Sequence, residues 1–137
     1  MTIKTYTELP KEAAQIREEV FVKEQGFREE FDTVDDNAYH VVLFADGKAV
    51  ATSRFFVNET GVYIVGRIAV LKAYRGQGLG SAVLHAAEEQ IKLLGGKSVS
   101  LHSQLQATEF YEKSGYAAYG EIEPEEGCPH IWMKKEL

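Results

Sequence analysis

A glycine-rich segment in the middle of the chain, Arg75-Gly76-Gln77-Gly78-Leu79-Gly80, follows an apolar run and precedes a helical pattern that begins near Ser81. Glycine lets the backbone turn sharply and approach a ligand closely. The unpaired N–H groups at the start of a helix point at one spot, where the helix dipole favours an anion. Lys72 and Arg75 can add positive charge nearby. The segment therefore predicts a binding site for a pyrophosphate group.

The spacing of the glycines separates this segment from two common phosphate-binding motifs. A P-loop needs Gly-x-x-x-x-Gly-Lys-Ser/Thr, and no lysine occupies that place. The dinucleotide fingerprint would require a third glycine at Ser81, and its sheet would consist of parallel βαβ units. A nucleotide-phosphate binder is therefore the weaker alternative. The other alternative is a loop whose glycines only cap a buried helix.

The apolar periodicity and the turn residues predict the elements that position this loop. Asp46-Gly47 between two β-branched runs predicts a tight hairpin. Ser103 and Gln106 have the spacing of a capping box for the last helix, which carries Tyr111. Residues 27–38 are polar and acidic and are expected to be irregular. The predicted strands are 2–6, 40–45, 48–57, 62–70, 98–102, 116–121 and 130–134, and the predicted helices are 10–24, 81–94 and 103–115.

The element order β-α-βββ-α-β-α-ββ predicts an α+β fold of mixed layers with helices on both faces of a sheet. No segment has the composition of a linker, so residues 1–137 are expected to form a single domain. The formal net charge of −6 argues against a nucleic-acid partner, which usually requires a basic face. No apolar run is long enough to span a membrane, and the N-terminus lacks the pattern of a signal peptide. With one cysteine, Cys128, and no cluster of metal-ligand spacing, we expect a cytoplasmic protein without a metal.

Two segments together resemble the GNAT acetyltransferase superfamily. Residues 66–94 are similar to its acetyl-CoA-binding strand, loop and helix, and residues 104–116 are similar to the segment that holds its acid tyrosine. Further similarity to the small ElaA-like bacterial branch rests on Arg17, Val20-Phe21, Glu24-Gln25, His40 and Gly127-Cys128-Pro129-His130. The resemblance implies a mostly antiparallel sheet of about six or seven strands, splayed between strands four and five.

The resemblance also implies where acetyl-CoA binds and which residue acts as the acid. The pyrophosphate would rest on the backbone of residues 75–81, and the pantetheine arm would pair with the strand Ile68-Ala69-Val70. Gln104, where the family often has asparagine, and Lys113 complete the expected cofactor site. Tyr111 would give its proton to the leaving thiolate, and the alternative is that its ring only packs in the core.

Acetyl transfer to an amine needs a base, because an alkylamine with a pKa of about 10.4 is almost fully protonated at pH 7. Many members of the superfamily place a carboxylate on the fourth strand, but the corresponding positions here are Gly66 and Arg67. The candidates for the base are therefore Glu24, Asp35, Asp36, His40 and His102.

The acceptor is expected to be a primary amine on a small molecule or a protein. Residues that could line its site lie in the first helix, in the acidic segment and on two neighbouring strands: Arg17, Phe21, Gln25, Asp36, Arg54 and Arg67. Long charged side chains of this kind are more often simply solvated. The main rival is a catalytically silent acetyl-CoA sensor or interaction module of the same fold. Strand edges of this fold often pair, so a homodimer is a further expectation.

Overall fold

The computed structural model describes residues 1–28 and 31–137. The strands are β1 (Thr2–Tyr6), β2 (Tyr39–Ala45), β3 (Lys48–Val57), β4 (Tyr63–Val70), β5 (Ser98–Gln104), β6 (Ala117–Glu125) and β7 (Cys128–Glu136). The α-helices are α1 (Lys11–Arg17), α2 (Leu79–Leu93) and α3 (Thr108–Lys113). In these residues no helix is long and apolar enough to cross a membrane.

The seven strands form one sheet in the order β1-β2-β3-β4-β5-β7-β6. All neighbours are antiparallel except β4 and β5, which run parallel and pair only at Tyr63–Val99 and Ile64–Ser100. Beyond these two pairs the strands diverge, so the sheet is splayed between β4 and β5. The expected mixed sheet and its splay are therefore confirmed.

A β-bulge in β4 lies just where the two strands part. β4 places Arg67 and Ile68 opposite the single residue Ser53 of β3, and Arg67 takes a left-handed φ of 51°. A side chain larger than glycine rarely adopts this conformation. Because bulges bend a strand and increase its twist, this one helps to turn β4 away from β5.

The helices cover opposite faces of the sheet. On β3, Ser53 donates a hydrogen bond of 2.9 Å to the carbonyl of Val83 in α2, whereas the next residue, Arg54, turns to the face on which α1 lies. Phe55, Val65, Leu84 and Ile91 belong to the core under α2. A smaller cluster under α1 contains Ile16, Val20, Phe21 and Ala69.

The sequence predicted the order of the elements correctly, together with the Asp46-Gly47 hairpin, whose residues take φ of 51° and 79°. The first predicted helix has the expected extent, but Glu18–Glu24 continues α1 as a π-helix, with Gln25 N–H bonded to Val20 O at 3.2 Å. The predicted capping box is wrong: α3 starts at Thr108, and the Ser103 hydroxyl bonds to the Gln104 carbonyl at 2.8 Å. Ser103 cannot cap the helix because it is still part of β5.

The acidic segment is more ordered than expected. Thr33–Asn37 forms a 3₁₀ turn, closed at its start by a capping box between Asp32 and Asp35. The last two strands extend further than predicted, because β6 and β7 form a long antiparallel ribbon with a bulge after Tyr119. The part of the predicted irregular segment at residues 29 and 30 lies outside the described residues.

Candidate functional site

The glycine-rich segment forms a tight loop that leads into α2. Gly76 and Gly78 both lie in the left-handed region, with φ of 80° and 77°. α2 begins at Leu79, and within the described chain no side chain caps its first turn. The first bond of the helix runs from the Ala82 N–H to the Gly78 carbonyl at 3.1 Å, so the N–H groups of residues 79–81 are free to bind an anion.

The start of α2 lies against α3, which brings the predicted acid close to the loop. A Cβ atom added at Gly80 would lie 3.3 Å from the ring of Phe110, so only glycine permits this approach without a shift. Phe110 in turn packs edge-on against Tyr111, with ring centroids 4.9 Å apart. The close packing at Gly80 therefore fixes Tyr111 relative to the loop.

Tyr111 lies in a largely apolar environment. Its ring packs at 6.0 Å from that of Tyr116, and burial raises the pKa of the Tyr111 phenol to about 12. Its hydroxyl forms no hydrogen bond with any of the residues 1–28 and 31–137. The phenol is therefore protonated at neutral pH, and its proton is available to a ligand.

The other residues predicted to hold a cofactor lie on the elements that flank the splay. Ile68, Ala69 and Val70 lie beyond the last pair between β4 and β5, so this edge of β4 is free of strand pairing. Gln104 ends β5, and its amide donates a hydrogen bond of 2.9 Å to the side chain of Gln25. Lys113 is the exposed last residue of α3.

Arg75 is engaged with the first helical segment. Its guanidinium donates to both carboxylate oxygens of Glu24, at 2.7 and 3.0 Å, and its Nε donates to the Val70 carbonyl at 3.0 Å. The hydrogen bond from Arg75 is the main cause of a lowered pKa for Glu24. The pair joins the end of the π-helix to the loop, and it leaves the anion site to the backbone N–H groups and Lys72.

Several residues predicted to act on the acceptor belong instead to a buried ionic network. Asp35 accepts hydrogen bonds from Arg17 at 2.9 and 3.1 Å and from Arg54 at 2.9 Å. The side chain of Arg17 is only 1% exposed. Asp32 extends the network to the surface by pairing with Arg54 at 2.8 Å and with Arg67 at 3.4 Å.

His40 contacts the same network through the backbone of Asp35. Its ring is fully buried, with Nε2 at 3.2 Å from the carbonyl of Asp35, and burial lowers its pKa. Phe21 is also buried and packs near Phe27, whereas Asp36 is exposed. A fully enclosed His40 can stabilise the segment around Asp35, but it offers no surface to a substrate.

His102, on β5, lies on the face that α1 occupies further along the sheet. Its ring stacks on Trp132 with centroids 4.7 Å apart and lies 4.9 Å from His130. Its Nδ1 is 3.1 Å from a carboxylate oxygen of Glu125. Its Nε2 is buried and has no hydrogen-bond partner among the described residues. A buried polar atom left without a partner costs about 1–3 kcal/mol, and His40 Nδ1 and Arg54 Nε are in the same situation.

A cleft of about 750 Å³ lies on the same face of the sheet, next to His102. Sequence reasoning missed its residues, although β7 alternates between the core residues Ile131 and Met133 and the more polar Trp132 and Lys134. That alternation is typical of a strand with one functional face. The lining comprises Asn58, Val62, Ile64, Ser98, Ser100, Ala117, Ala118, Tyr119, Trp132, Lys134 and Glu136.

A mixed sheet that is splayed between two parallel strands, with a glycine-rich loop suited to a pyrophosphate beside the splay, is typical of the acyl-CoA N-acyltransferase folds. The chain matches the family model for the acetyltransferase (GNAT) domain over residues 5–137. It therefore belongs to the GNAT acetyltransferase family, and the resemblance seen in the sequence is confirmed.

Two comparisons give the degree of similarity within this family. The chain is 38% identical to the uncharacterized protein YyaT of Bacillus subtilis in an alignment of 132 positions that covers 92% of this chain and 88% of YyaT. Its structure is similar to that of Escherichia coli ElaA, with a TM-score of 0.87 and 26% identity over 98% of this chain and 99% of ElaA.

A third comparison concerns the fold alone. An aminoglycoside 6'-N-acetyltransferase solved in complex with coenzyme A has a TM-score of 0.75 to this chain, with 17% identity. The structural alignment covers 99% of this chain and 97% of that enzyme.

Proposed function

We propose that this protein transfers the acetyl group of acetyl-CoA to a primary amine by direct attack in a ternary complex. The observation that carries the proposal is the place where β4 and β5 separate: after two residue pairs they open a gap beside the uncapped start of α2. A structural neighbour with this fold holds coenzyme A.

The residues around the gap fit a coenzyme A thioester. The N–H groups from Gly76 to Ser81 suit its pyrophosphate, and the unpaired edge of β4 from Ile68 to Val70 suits the amides of its pantetheine arm. The left-handed Arg67 at the bulge reorients the backbone just before Ile68. The N–H group of Ile68 is our candidate for a donor that stabilises the oxyanion.

The reaction forms one bond and breaks one. The amine nitrogen attacks the thioester carbonyl, an N–C bond forms, and the C–S bond breaks to release the coenzyme as a thiol. The thiolate, with an ordinary pKa of about 8.5, is a fair leaving group, so an acid gives only moderate help. Tyr111 is our candidate for that acid, because its ring is fixed next to the loop and its hydroxyl makes no hydrogen bond with the described residues.

Of the predicted bases, His102 has the most suitable surroundings. Glu24 already gives both carboxylate oxygens to Arg75, and His40 is enclosed. In His102 the Glu125 carboxylate can accept the Nδ1 proton, which leaves Nε2 as a free acceptor. Because Nε2 is itself buried, a role of His102 as the base requires the neighbouring side chains to move aside when the amine binds.

Calorimetric titration with acetyl-CoA tests the first half of the proposal. Gly78→Asp adds a side chain and a negative charge at a left-handed position in the loop, and we expect it to weaken binding at least tenfold, about 1.4 kcal/mol. Gly61→Asp is the matched control, because Gly61 has a similar φ of 84° and open space around it in the β3–β4 turn. Equal affinities of both variants for acetyl-CoA would overturn the loop assignment.

Turnover separates an enzyme from a silent sensor. We expect release of free thiol from acetyl-CoA in the presence of primary amines. A folded protein that binds acetyl-CoA but releases no thiol with any amine of a broad panel would favour the sensor.

A further inference from the structure

We infer that the cleft beside His102 binds the apolar body of the acceptor, and that the acceptor is a monoamine carrying an aryl or alkyl group. This inference rests on the proposed function, because it assigns the acceptor site of the same reaction. Three features of the cleft support this assignment: its position, its lining and its charge.

The cleft is continuous with the place where β4 and β5 separate. On β5, Ser98 and Ser100 line the cleft, and His102 is the next residue on that face. On β4, Ile64 lines the cleft and Gly66 is the next residue on that face. Apart from Gly66 itself and its two chain neighbours, no heavy atom of the described residues lies within 4 Å of the position where a Cβ of Gly66 would be. A molecule in the cleft can therefore extend over Gly66 towards the gap.

The lining of the cleft is mainly apolar and includes two aromatic side chains. Tyr119 and Trp132 are opposite each other in the register of β6 and β7, and Val62 and Ile64 form the wall on the β4 side. Tyr119 is 46% exposed, so a large apolar side chain is left uncovered there. The volume of the cleft, about 750 Å³, lies within the range of about 300–1,000 Å³ that is typical of small-molecule sites. Burying an aryl or alkyl group against this wall is favourable.

The charges that line the cleft cancel. Lys134 and Glu136 form an ion pair of 3.4 Å, and the remaining polar lining residues, Asn58, Ser98 and Ser100, are neutral. A second ammonium group of an acceptor would thus find no uncompensated carboxylate among these lining residues. Because a desolvated charge without a partner is costly, the cleft disfavours polyamines and amino sugars with several ammonium groups.

Trp132 is the only tryptophan of the chain, so its fluorescence reports on the cleft without any need for turnover. The experiment titrates the protein, saturated with coenzyme A, with 2-phenylethylamine and with spermidine. We expect 2-phenylethylamine to change the fluorescence with a Kd at least tenfold lower than that of spermidine. Tyr119→Ala should raise that Kd about tenfold. Tyr6→Ala, on the opposite edge strand β1, is the matched control and should leave it unchanged.

Thiol release from acetyl-CoA with the same amines separates the two proposals. Release with spermidine but not with 2-phenylethylamine would support acetyl transfer and overturn the assignment of the cleft. Tight binding of 2-phenylethylamine without thiol release would support the cleft and reject transfer. Equal affinity of Tyr119→Ala and the unaltered protein for 2-phenylethylamine would overturn the inference. A fluorescence change that depends on protein concentration instead of amine would also overturn it, because a second copy would then cover the cleft.

Discussion

The substitution Asp35→Asn tests how strongly the buried ionic network holds the α1 face together. The Asp35 side chain is 6% exposed and bonds to Arg17 and Arg54, whose side chains are 1% and 7% exposed. Asparagine has nearly the same shape but no charge. The substitution would therefore remove one buried charged partner from Arg17 and from Arg54, whereas the ion pair between Arg54 and Asp32 would remain.

The expected loss of stability follows from the geometry. Removing one partner of a buried ion pair costs about 3–5 kcal/mol where the remaining charge has no other partner, and the cost is smaller where it keeps one, as Arg54 keeps Asp32. Asparagine can still accept one hydrogen bond, so we expect the lower end, about 3 kcal/mol of the free energy of unfolding. For a chain of this length that corresponds to a fall in Tm of about 10–15 °C.

The same carboxylate gives a prediction for pH. Burial alone would raise the pKa of Asp35, but the hydrogen bonds and charges of Arg17 and Arg54 outweigh it and lower the pKa from 3.8 to about 2. A lowered pKa stabilises the folded state above pH 4, and this contribution is lost as the pH falls from about 4 to 2. This contribution amounts to about 2 kcal/mol. The difference in free energy of unfolding between the unaltered protein and Asp35→Asn should therefore shrink by that amount as the pH falls from about 4 to 2.

Urea unfolding of both proteins at pH values from 7 to 2 measures these quantities. Asp36→Asn is the matched control, because the neighbouring Asp36 is exposed, and we expect it to change stability by less than about 0.5 kcal/mol. The reasoning would be refuted by a loss below about 1 kcal/mol in Asp35→Asn at pH 7. A difference that stays constant from pH 5 to pH 2 would also refute it.

Three further predictions concern the catalytic groups and the end of α2. Tyr111→Phe should lower kcat for thiol release about 10–100-fold and leave the Kd of acetyl-CoA, measured by calorimetry, nearly unchanged. His102→Asn should lower kcat by a similar factor, whereas the exposed His85→Asn should leave kcat unchanged. Gly96→Ala would drive a Cβ into Ile91 and should lower the free energy of unfolding by about 1–3 kcal/mol in urea.

Local features were predictable from the sequence because neighbouring residues determine them. The two turn residues Asp46 and Gly47 accept a positive φ, and the glycines at 76 and 78 do the same before α2. Each of these depends on backbone conformations that only a few residue types adopt readily. The family resemblance rests on the same local segments, which explains why the fold could be expected before any contact was known.

The sequence predictions that were wrong or incomplete are those in which a local pattern competed with long-range packing. The Ser103–Gln106 capping box has the right spacing, but β5 pairs with β7 as far as Gln104 and keeps Ser103 in the strand. Arg17 looks like a solvated helical residue, yet it contacts Asp35, which is 18 positions away in the chain. Spacing within a segment carries no information about such partners.

The sequence by itself determined the glycine-rich loop, the helix that follows it, the tyrosine on α3 and the order of the strands. Only the tertiary structure decided that Glu24 neutralises Arg75 and that His40 is enclosed. The tertiary structure also placed Tyr119, Trp132 and Ile64 around one cleft. The physical reason is that loops and helix starts follow from the dihedral preferences of adjacent residues. Ion pairs and clefts, in contrast, depend on which face of a distant strand each side chain occupies after the sheet has formed.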